Sequence, residues 1–294
     1  RKLDIPLWRV CLSVLVLQGL CTMNNSFVEK DVEVNVGKIV ELAKDAGLVI
    51  MEIYERSADD WDQKVKSDDS PLTAADLSSN KVICDRLKEW FPDIPIMSEE
   101  NKQASFDERS RWPFYFCIDP LDGTKEFIKR NGEFTVNIAL MRREDQGFAR
   151  PVLGVVHTPV SKRTHFAVDG CGAFVEDQDG TRKIEALKYS PEDAGLILVC
   201  SRSHLDDRTK AIIDSYTDPK TTSMGSSLKF MLVAEGSAHV YPRLAPTMEW
   251  DTAASQIIVE EAGGSVIDHE TNEPLKYCKE NLTNPFFMCY ANKN

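Results

Sequence analysis

Two aspartates in one short turn are the residues of this sequence best suited to chemistry. They belong to Asp119-Pro120-Leu121-Asp122-Gly123-Thr124, which follows an apolar run at 114–118 that we predict to be a buried strand. Pro120 and Gly123 favour a turn, so both carboxylates can face one cavity. Close carboxylates repel each other unless a proton or a cation holds them, and oxygen ligands of this kind suit Mg²⁺.

The same turn offers a place for a phosphate. Gly123 and Thr124 present backbone N–H groups at an expected helix start, where an anion binds well; the alternative is an ordinary Asx turn. Phosphatases that form a phospho-aspartate use D-x-D-x-T, with a single residue between the aspartates. Here two residues separate Asp119 from Asp122, so that mechanism is disfavoured.

Three further acids stand at the ends of expected elements, and each also has an ordinary structural interpretation. Glu99 follows a short apolar segment and fits an exposed loop acid equally well. Asp76 is the third residue after Thr73, the spacing of a helix capping box. Asp251 follows Trp250 at an expected helix start, where an N-cap aspartate is the default.

A serine hydrolase is disfavoured by the pattern around the serines. Ser201, Ser203 and His204 lie close together, but no G-x-S-x-G elbow occurs anywhere in the chain. Ser203 and His204 are adjacent in sequence, which is a poor placement for a nucleophile and its base. We interpret them instead as part of a polar loop that binds substrate.

Two later segments suit an anionic, aromatic ligand. Ser226 and Lys229 lie about one expected helical turn apart and can grip a phosphate, although a solvated helix face has the same pattern. Tyr241 and Arg243 precede Trp250. An aromatic ring together with a guanidinium could hold a purine and a phosphate.

The elements that must position these residues follow from apolar periodicity. Helical spacing predicts a long helix over 36–54 and a second helix from Thr73 that ends before Pro92. Alternating or continuous apolar runs predict strands at 114–118, 134–140, 152–157, 164–168 and 173–176. This part of the chain indicates helices packed on a largely antiparallel sheet.

The C-terminal part alternates strands and helices. Strands are predicted at 196–200, 239–242, 265–268 and 286–290, with helices over 208–216 and 251–262. The alternation favours a second, α/β layer. Polar residues and Pro191 cluster between the two parts, and we divide the chain there into domains 28–188 and 189–294.

Residues 1–27 are expected to form an N-terminal extension outside this fold. Their apolar run at 10–21 is too short to cross a bilayer, but it has features of a signal or organelle-targeting segment. We expect a cytoplasmic protein, and a plastid or mitochondrion is the alternative if this segment directs import. Eight scattered cysteines without a CxxC pair favour buried free thiols over a disulfide framework or a zinc site.

The net charge of the chain limits the kinds of molecule that it can bind. The 294 residues include 35 Lys and Arg against 47 Asp and Glu, which gives a net charge of −12. Such a chain is a poor partner for nucleic acid or an anionic membrane, because its field repels both. A small anionic substrate remains compatible with this charge where cations, lysines or N–H groups invert the local sign.

Taken in order, the acid-bearing segments at 73–76, 98–100, 119–124 and 250–251 resemble those of the lithium-sensitive, magnesium-dependent phosphomonoesterases of the inositol monophosphatase superfamily. The longer stretches at 119–127, 201–204 and 241–254 are similar to the CysQ-type 3′(2′),5′-bisphosphate nucleotidases. This resemblance covers about residues 30–290 and implies a layered αβαβα sandwich. It also implies hydrolysis of the 3′-phosphate of 3′-phosphoadenosine 5′-phosphate to AMP and phosphate, with the sulfated nucleotide as a further candidate substrate in sulfur metabolism.

The resemblance implies a role for each matching residue. The metal ligands would be Glu99, Asp119, the Leu121 carbonyl, Asp122 and Asp251. Asp76 and Thr124 would orient and deprotonate the attacking water, and the N–H groups of Gly123 and Thr124 would hold the phosphate. The nucleotide would be bound by Ser203, His204, Ser226, Lys229 and Arg243. His239 stands where the family usually has Asp.

The resemblance further implies two or three Mg²⁺ ions, inhibition by Li⁺, a small-molecule substrate, and a monomer or homodimer. One alternative is a related enzyme that prefers an inositol phosphate or a sugar bisphosphate, since the same acids would serve it. The other is a catalytically silent sensor that binds the nucleotide. The presence of every acid of the pattern argues against the sensor.

Overall fold

A computed structural model describes residues 26–29, 31–57, 61–66, 71–200 and 207–293. Its helices are α1 (Val36–Tyr54), α2 (Ala74–Trp90), α3 (Phe106–Arg109), α4 (Thr124–Ile128), α5 (Asp207–Asp214), α6 (Leu228–Ala234) and α7 (Glu249–Glu261). Its strands up to residue 177 are β1 (Ser26–Glu29), β2 (Val32–Asn35), β3 (Lys64–Val65), β4 (Pro71–Leu72), β5 (Ile96–Ser98), β6 (Phe114–Asp122), β7 (Thr135–Arg143), β8 (Ala149–Thr158), β9 (Arg163–Val168) and β10 (Gly172–Asp177). The later strands are β11 (Gly180–Ile184), β12 (Lys188–Tyr189), β13 (Ile197–Cys200), β14 (Lys220–Ser223), β15 (Val240–Arg243), β16 (Ser265–Asp268), β17 (Phe287–Tyr290) and β18 (Asn292–Lys293).

The larger sheet has seven strands in the order β11-β10-β9-β8-β7-β6-β5. All neighbours are antiparallel except β5, which runs parallel to β6. The prediction of a largely antiparallel sheet is therefore confirmed. The β6–β7 pairing is interrupted between Asp119 and Asp122, so the sheet loses its regular register where the two aspartates stand.

Helices α1 and α2 cover one face of this sheet and pack against each other. The Asn35 side chain caps α1 by accepting a hydrogen bond from the Lys38 amide, and apolar residues such as Ile39 and Ile50 face the core. Helix α2 ends at Trp90, two residues before Pro92. Both helix predictions are confirmed to within a residue.

The opposite face of the sheet is covered by α7, with α6 beside it. These two helices also pack on a second, five-stranded sheet in the order β14-β13-β15-β17-β16, and α5 contacts that sheet at β15. The layers therefore run helix, sheet, helix, sheet, helix, which confirms the predicted αβαβα sandwich. Tyr115 and Cys117 of β6 lie in the same apolar cluster as Ile257 of α7, so the inner helices join both sheets into one packed body.

Several expectations need correction. Ser26 and Phe27 belong to β1, and Phe27 is buried, so the fold extends two residues into the expected extension; residues 1–25 lie outside the described residues. Cys171 is disulfide-bonded, whereas the free and buried cysteines are Cys84, Cys117, Cys200, Cys278 and Cys289. The division at 188/189 stays a prediction. No helix in the described part of the chain is long and apolar enough to cross a membrane.

Candidate active site

Asp119 and Asp122 lie in the last, irregular part of β6 and not in a turn after residue 118 as predicted, and the chain turns into α4 at Gly123. Gly123 has a φ of 98°, a left-handed conformation that favours glycine, and it stands at the N-cap position of α4. A Cβ at Gly123 would lie 3.1 Å from the Glu133 carbonyl oxygen and 3.2 Å from the Ser226 Cβ. The glycine therefore keeps the backbone open at the point where the sequence predicts a phosphate.

Asp119 is a buried acid at the end of a buried strand. Its Oδ1 accepts a hydrogen bond of 3.0 Å from the Leu121 amide, which tightens the turn. The Ser79 hydroxyl of α2 donates to the Pro120 carbonyl at 2.7 Å and so ties the same turn to α2. Burial, with Glu99 and Asp122 nearby, raises the pKa of Asp119 well above its usual value.

Asp76 and Thr124, which the family resemblance assigns to one catalytic pair, are in contact. The Thr124 hydroxyl donates to Asp76 Oδ1 at 3.0 Å. Asp76 Oδ2 accepts bonds from the Thr73 amide at 2.7 Å and the Thr73 hydroxyl at 2.6 Å, so Asp76 also belongs to the capping box of α2. Burial raises the pKa of Asp76. One carboxylate thus fixes the helix start with one oxygen and meets Thr124 with the other.

Glu99 lies just beyond β5 and is paired with a lysine. The Lys66 ammonium, after β3, stands 2.7 Å from Glu99 Oε1 and also pairs with Glu100. Burial raises the pKa of Glu99, and Lys66 opposes that rise. Glu99 and Asp119 lie close enough that each affects the pKa of the other carboxyl, which brings Glu99 beside the acids of β6.

Asp251 reaches the site from the other side, on α7. It is not the N-cap that the sequence suggested, because the helix begins at Glu249 and Asp251 is the third residue within it. Its Oδ2 accepts a 2.8 Å bond from the Met248 amide and so closes the first turn of the helix. Burial and the nearby charge of Asp122 raise the pKa of Asp251.

The donor set of these acids fits a hard cation. It consists of oxygen atoms only, Asp119 is buried while the other three acids are half-buried, and among the four only Glu99 pairs with a lysine, which suits Mg²⁺. Across the described ranges, no group of three or more His, Cys, Asp or Glu side chains has the arrangement of a metal site. Lys66 donates a hydrogen bond to Glu99, and Ser227 donates one to Asp122. Both carboxylates are therefore bonded to protein groups.

A cavity of about 480 Å³ opens beside these acids. Asp122 and Asp251 are among its lining residues, and Lys229 and Arg243 supply positive charge. Burial lowers the pKa of Lys229 to about 8, and its ammonium donates to the Ser226 carbonyl at 2.7 Å. The cavity therefore places buried cationic groups next to the acidic cluster.

Three buried polar atoms in the lining have no hydrogen-bond partner. They are Ser226 Oγ, Arg243 Nε and Thr247 Oγ1. Because buried polar groups are normally hydrogen-bonded, these atoms fit contacts with a polar ligand. Ser226 and Arg243 were predicted from the sequence. Thr247 was not, because a lone threonine before a helix carries no recognisable pattern.

Other predicted binding residues stand differently from the expectation. Ser226 precedes α6 with a φ of 43°, so it does not share a helical turn with Lys229 as predicted. Tyr241 lines the cavity but is almost completely buried, and it packs against the rings of Phe230 and Phe287. Ser203 and His204 lie outside the described residues.

His239 has a structural contact away from the cavity lining. Its Nδ1 accepts a hydrogen bond of 3.0 Å from the Ile197 amide, while its own amide donates to the Ile197 carbonyl at 2.8 Å. The side chain thereby extends the pairing of β13 with β15. The residue at this position supports the second sheet.

Ser227 is a site residue that sequence reasoning missed. Its hydroxyl lies 2.6 Å from Asp122 Oδ2 and 3.1 Å from the Asp251 carbonyl oxygen. It stands directly before α6, where a serine would be interpreted as an N-cap, yet it makes no capping bond. No local sequence signal distinguishes it from Ser226.

Comparison with known proteins places the chain among phosphatases. The model of the inositol monophosphatase family matches residues 32–285. The 3′(2′),5′-bisphosphate nucleotidase CysQ of Salmonella typhimurium is 45% identical over 251 residues, which cover 85% of this chain and 97% of that protein. CysQ of Escherichia coli strain K12 is 43% identical over 251 residues, which cover 85% of this chain and 97% of that protein.

A solved structure agrees with this likeness. The crystal structure of CysQ from Bacteroides thetaiotaomicron, described as a bacterial member of the inositol monophosphatase family, aligns with a TM-score of 0.75 at 39% identity. The alignment covers 87% of this chain and 98% of that chain. The similarity therefore spans the sandwich and the site together.

Proposed function

Because the chain belongs to the inositol monophosphatase family, we propose that it is a Mg²⁺-dependent 3′(2′),5′-bisphosphate nucleotidase. It removes the 3′-phosphate of 3′-phosphoadenosine 5′-phosphate, or of the sulfated nucleotide, and releases inorganic phosphate. The observation that carries the proposal is that one cavity is lined by Asp122 and Asp251 together with Lys229 and Arg243. The names of the most similar relatives fit the same substrate class.

The two kinds of charged residue that line the cavity suit the two phosphates of such a substrate. A bisphosphate carries one phosphate to be cleaved and a second one that must be recognised. The acids with their cation suit the first, whereas Lys229, Arg243 and the hydroxyls of Ser226 and Thr247 suit the second phosphate and the sugar. An inositol monophosphate lacks the second phosphate and leaves these groups unpaired.

The residues that would hold Mg²⁺ are Glu99, Asp119, Asp122, Asp251 and the Leu121 carbonyl. The chemistry supplied by two or three such ions is a lowered pKa for water and positive charge beside the phosphate. Competition at these ligands is the basis on which we expect Li⁺ to inhibit.

Asp76 and Thr124 handle the proton of the attacking water. The Thr124 hydroxyl points its proton at Asp76 Oδ1, so its oxygen is available to accept one from water. Asp76 then takes the threonine proton, and its buried position, which raises its pKa, makes it a stronger base than an exposed aspartate. The amides of Gly123 and Thr124 hold the phosphate in line.

The test is phosphate release from a substrate panel with purified protein at saturating Mg²⁺. The panel contains 3′-phosphoadenosine 5′-phosphate, its sulfated form, inositol monophosphate and a sugar bisphosphate. We expect the highest kcat/KM for a nucleotide bisphosphate. Asp122→Asn should lose nearly all turnover and stay folded. A higher kcat/KM for inositol monophosphate, or an active Asp122→Asn variant, would contradict the proposal.

The same proposal covers partners and location. The partner is a small molecule, the assembly is a monomer or homodimer, and the enzyme acts in the cytoplasm. The five free, buried cysteines in the described residues suit a reducing compartment, whereas the disulfide of Cys171 is a bond that oxidising compartments favour.

A further inference from the structure

A chain of hydrogen bonds crosses from the larger sheet to the candidate metal ligands. The Thr135 hydroxyl donates to Asn137 Oδ1 at 3.0 Å, and Asn137 Nδ2 donates to Ser227 Oγ at 2.9 Å. The Ser227 hydroxyl then donates to Asp122 Oδ2 at 2.6 Å. Thr135, Asn137 and Ser227, which we call the hydroxyl–amide relay, are all at most 1% exposed.

The direction of this chain is fixed by counting donors and acceptors. Thr135 supplies a proton to the amide oxygen of Asn137, so the amide nitrogen must face Ser227. Ser227 therefore accepts from Asn137, and its single hydroxyl proton is left for Asp122. The Asp251 carbonyl oxygen, 3.1 Å from the same hydroxyl oxygen, is a second acceptor within its reach.

We infer that Ser227 is a positioning residue that holds Asp122 and Asp251 in register for cation binding. This inference rests on the proposed function. Asp122 ends β6 and Asp251 lies on α7, so the two acids come from different layers of the sandwich. One hydroxyl contacts both residues, and the relay sets its orientation from β7. With Oδ2 of Asp122 held by Ser227, Oδ1 is the oxygen left to face a cation.

The ordinary role of a serine in this position does not account for the geometry. Ser227 stands at the N-cap of α6 but makes no side-chain capping bond, so the helix start does not use its hydroxyl. Two acids that repel each other need fixed partners to keep a defined separation. Outer partners of metal-binding carboxylates are commonly worth about 10- to 100-fold in metal affinity.

The test is direct Mg²⁺ binding by titration calorimetry, with no substrate present. Ser227→Ala should bind Mg²⁺ about 10- to 100-fold more weakly than the wild type. Ser255→Ala is the matched control, because Ser255 is a fully buried serine of α7 whose hydroxyl has no partner. It should bind Mg²⁺ like the wild type, and both variants should have similar thermal midpoints in the presence of a chelator.

Further variants separate positioning from folding. Thr135→Val keeps its shape and removes only the donor that orients Asn137, so it should weaken Mg²⁺ binding less than Ser227→Ala. Asn137→Ala combined with Ser227→Ala should bind no more weakly than Ser227→Ala alone, because both act through one hydrogen bond to Asp122. Ser227→Thr keeps the hydroxyl and should retain most of the affinity.

The outcomes decide between the inferences. Wild-type affinity in Ser227→Ala, equal losses in Ser255→Ala, or additive losses in the double variant would overturn the role of Ser227 and leave the proposed function standing. An absence of Mg²⁺ binding in the wild type would overturn the proposed function and this inference together.

Discussion

At the scale of single residues, Asp76 serves a helix start and a proton-transfer pair at once. These two roles make different predictions for Asp76→Asn. As a cap, Asn suits a helix start nearly as well as Asp, so stability should change by about 1 kcal/mol or less. As part of the water-activating pair, the same change removes the base and should lower kcat by about 10²- to 10⁴-fold.

Thr124→Ala should lower kcat by a comparable factor, because Thr124 delivers the proton to Asp76 over 3.0 Å. The double variant should be little worse than either single one, since both residues act on one proton. The measurements are kcat and thermal midpoint for all three variants. Strictly multiplicative losses in kcat would show that the two residues do not form a pair.

Lys229 predicts a pH dependence with a defined sign. Burial lowers its pKa to about 8, so the ammonium is charged below that pH and neutral above it. Since only the ammonium attracts an anionic substrate, kcat/KM should fall as the pH rises through about 8. Lys229→Met should have a low kcat/KM that does not fall further over this range. If kcat/KM of Lys229→Met still fell by the same factor as the pH rises through this range, another group would be responsible for the titration.

At the scale of elements, the placement of α7 depends on one glycine. A Cβ on Gly154 of β8 would lie 2.4 Å from the Ala254 carbonyl oxygen and 2.5 Å from Ile257 Cγ2. Real Cβ atoms do not approach backbone this closely, so Gly154→Ala must push α7 away from the sheet. Asp251 stands one turn earlier on that helix and would move with it.

We therefore expect Gly154→Ala to lose about 1–3 kcal/mol of stability in urea unfolding, together with reduced kcat. Gly180→Ala is the control, because its Cβ would meet nothing within 4 Å and only its φ of 103° is unfavourable. It should lower stability without changing kcat. Wild-type stability and activity in Gly154→Ala would show that α7 is not packed as closely as described.

The long elements and the importance of the acid-bearing segment could be predicted from the sequence, since both depend on neighbours along the chain, although the structure continues β6 through Asp122 where a turn was predicted. Helices α1 and α2 have apolar periodicity and recognisable ends, and the segment at 119–124 has its own turn residues. Two-residue strands such as β3 and β4 were missed, because so short a strand has no periodicity. Ser227 was missed because its partner Asn137 is 90 residues away.

At the scale of the whole molecule, part of the acidic excess of a chain with a net charge of −12 lies where negative charge is least favourable. Asp119 is buried, Glu99 and Asp251 are half-buried beside Asp122, and desolvation raises the pKa of each of these three carboxyls. Lys66 pairs with Glu99 alone among these four. The repulsion between these carboxylates lowers the stability of the metal-free fold, and a bound cation would remove that repulsion. Fold stability and metal binding are therefore linked in this protein.

This linkage predicts opposite effects of one substitution. Asp119→Asn removes a buried charge next to Glu99 and keeps an oxygen for the Leu121 amide, which bonds to Asp119 at 3.0 Å. Without Mg²⁺, the variant should unfold at a higher temperature than the wild type, by about 2–4 °C for each kcal/mol gained. Mg²⁺ at about 100 times its dissociation constant should stabilise the wild type by about 2.7 kcal/mol, and the variant by much less.

The measurement is the thermal midpoint of both proteins in a chelator and across a Mg²⁺ titration, with Asp93→Asn as control. Asp93 is an exposed aspartate outside the site, so its replacement should change neither the midpoint nor the Mg²⁺ response. The activity of Asp119→Asn should fall together with its Mg²⁺ response, because the same carboxylate that destabilises the metal-free fold serves the cation. If Asp119→Asn were less stable than the wild type in chelator, the charge of Asp119 would stabilise the fold. If the variant were stabilised by Mg²⁺ as much as the wild type, Asp119 would not be a Mg²⁺ ligand.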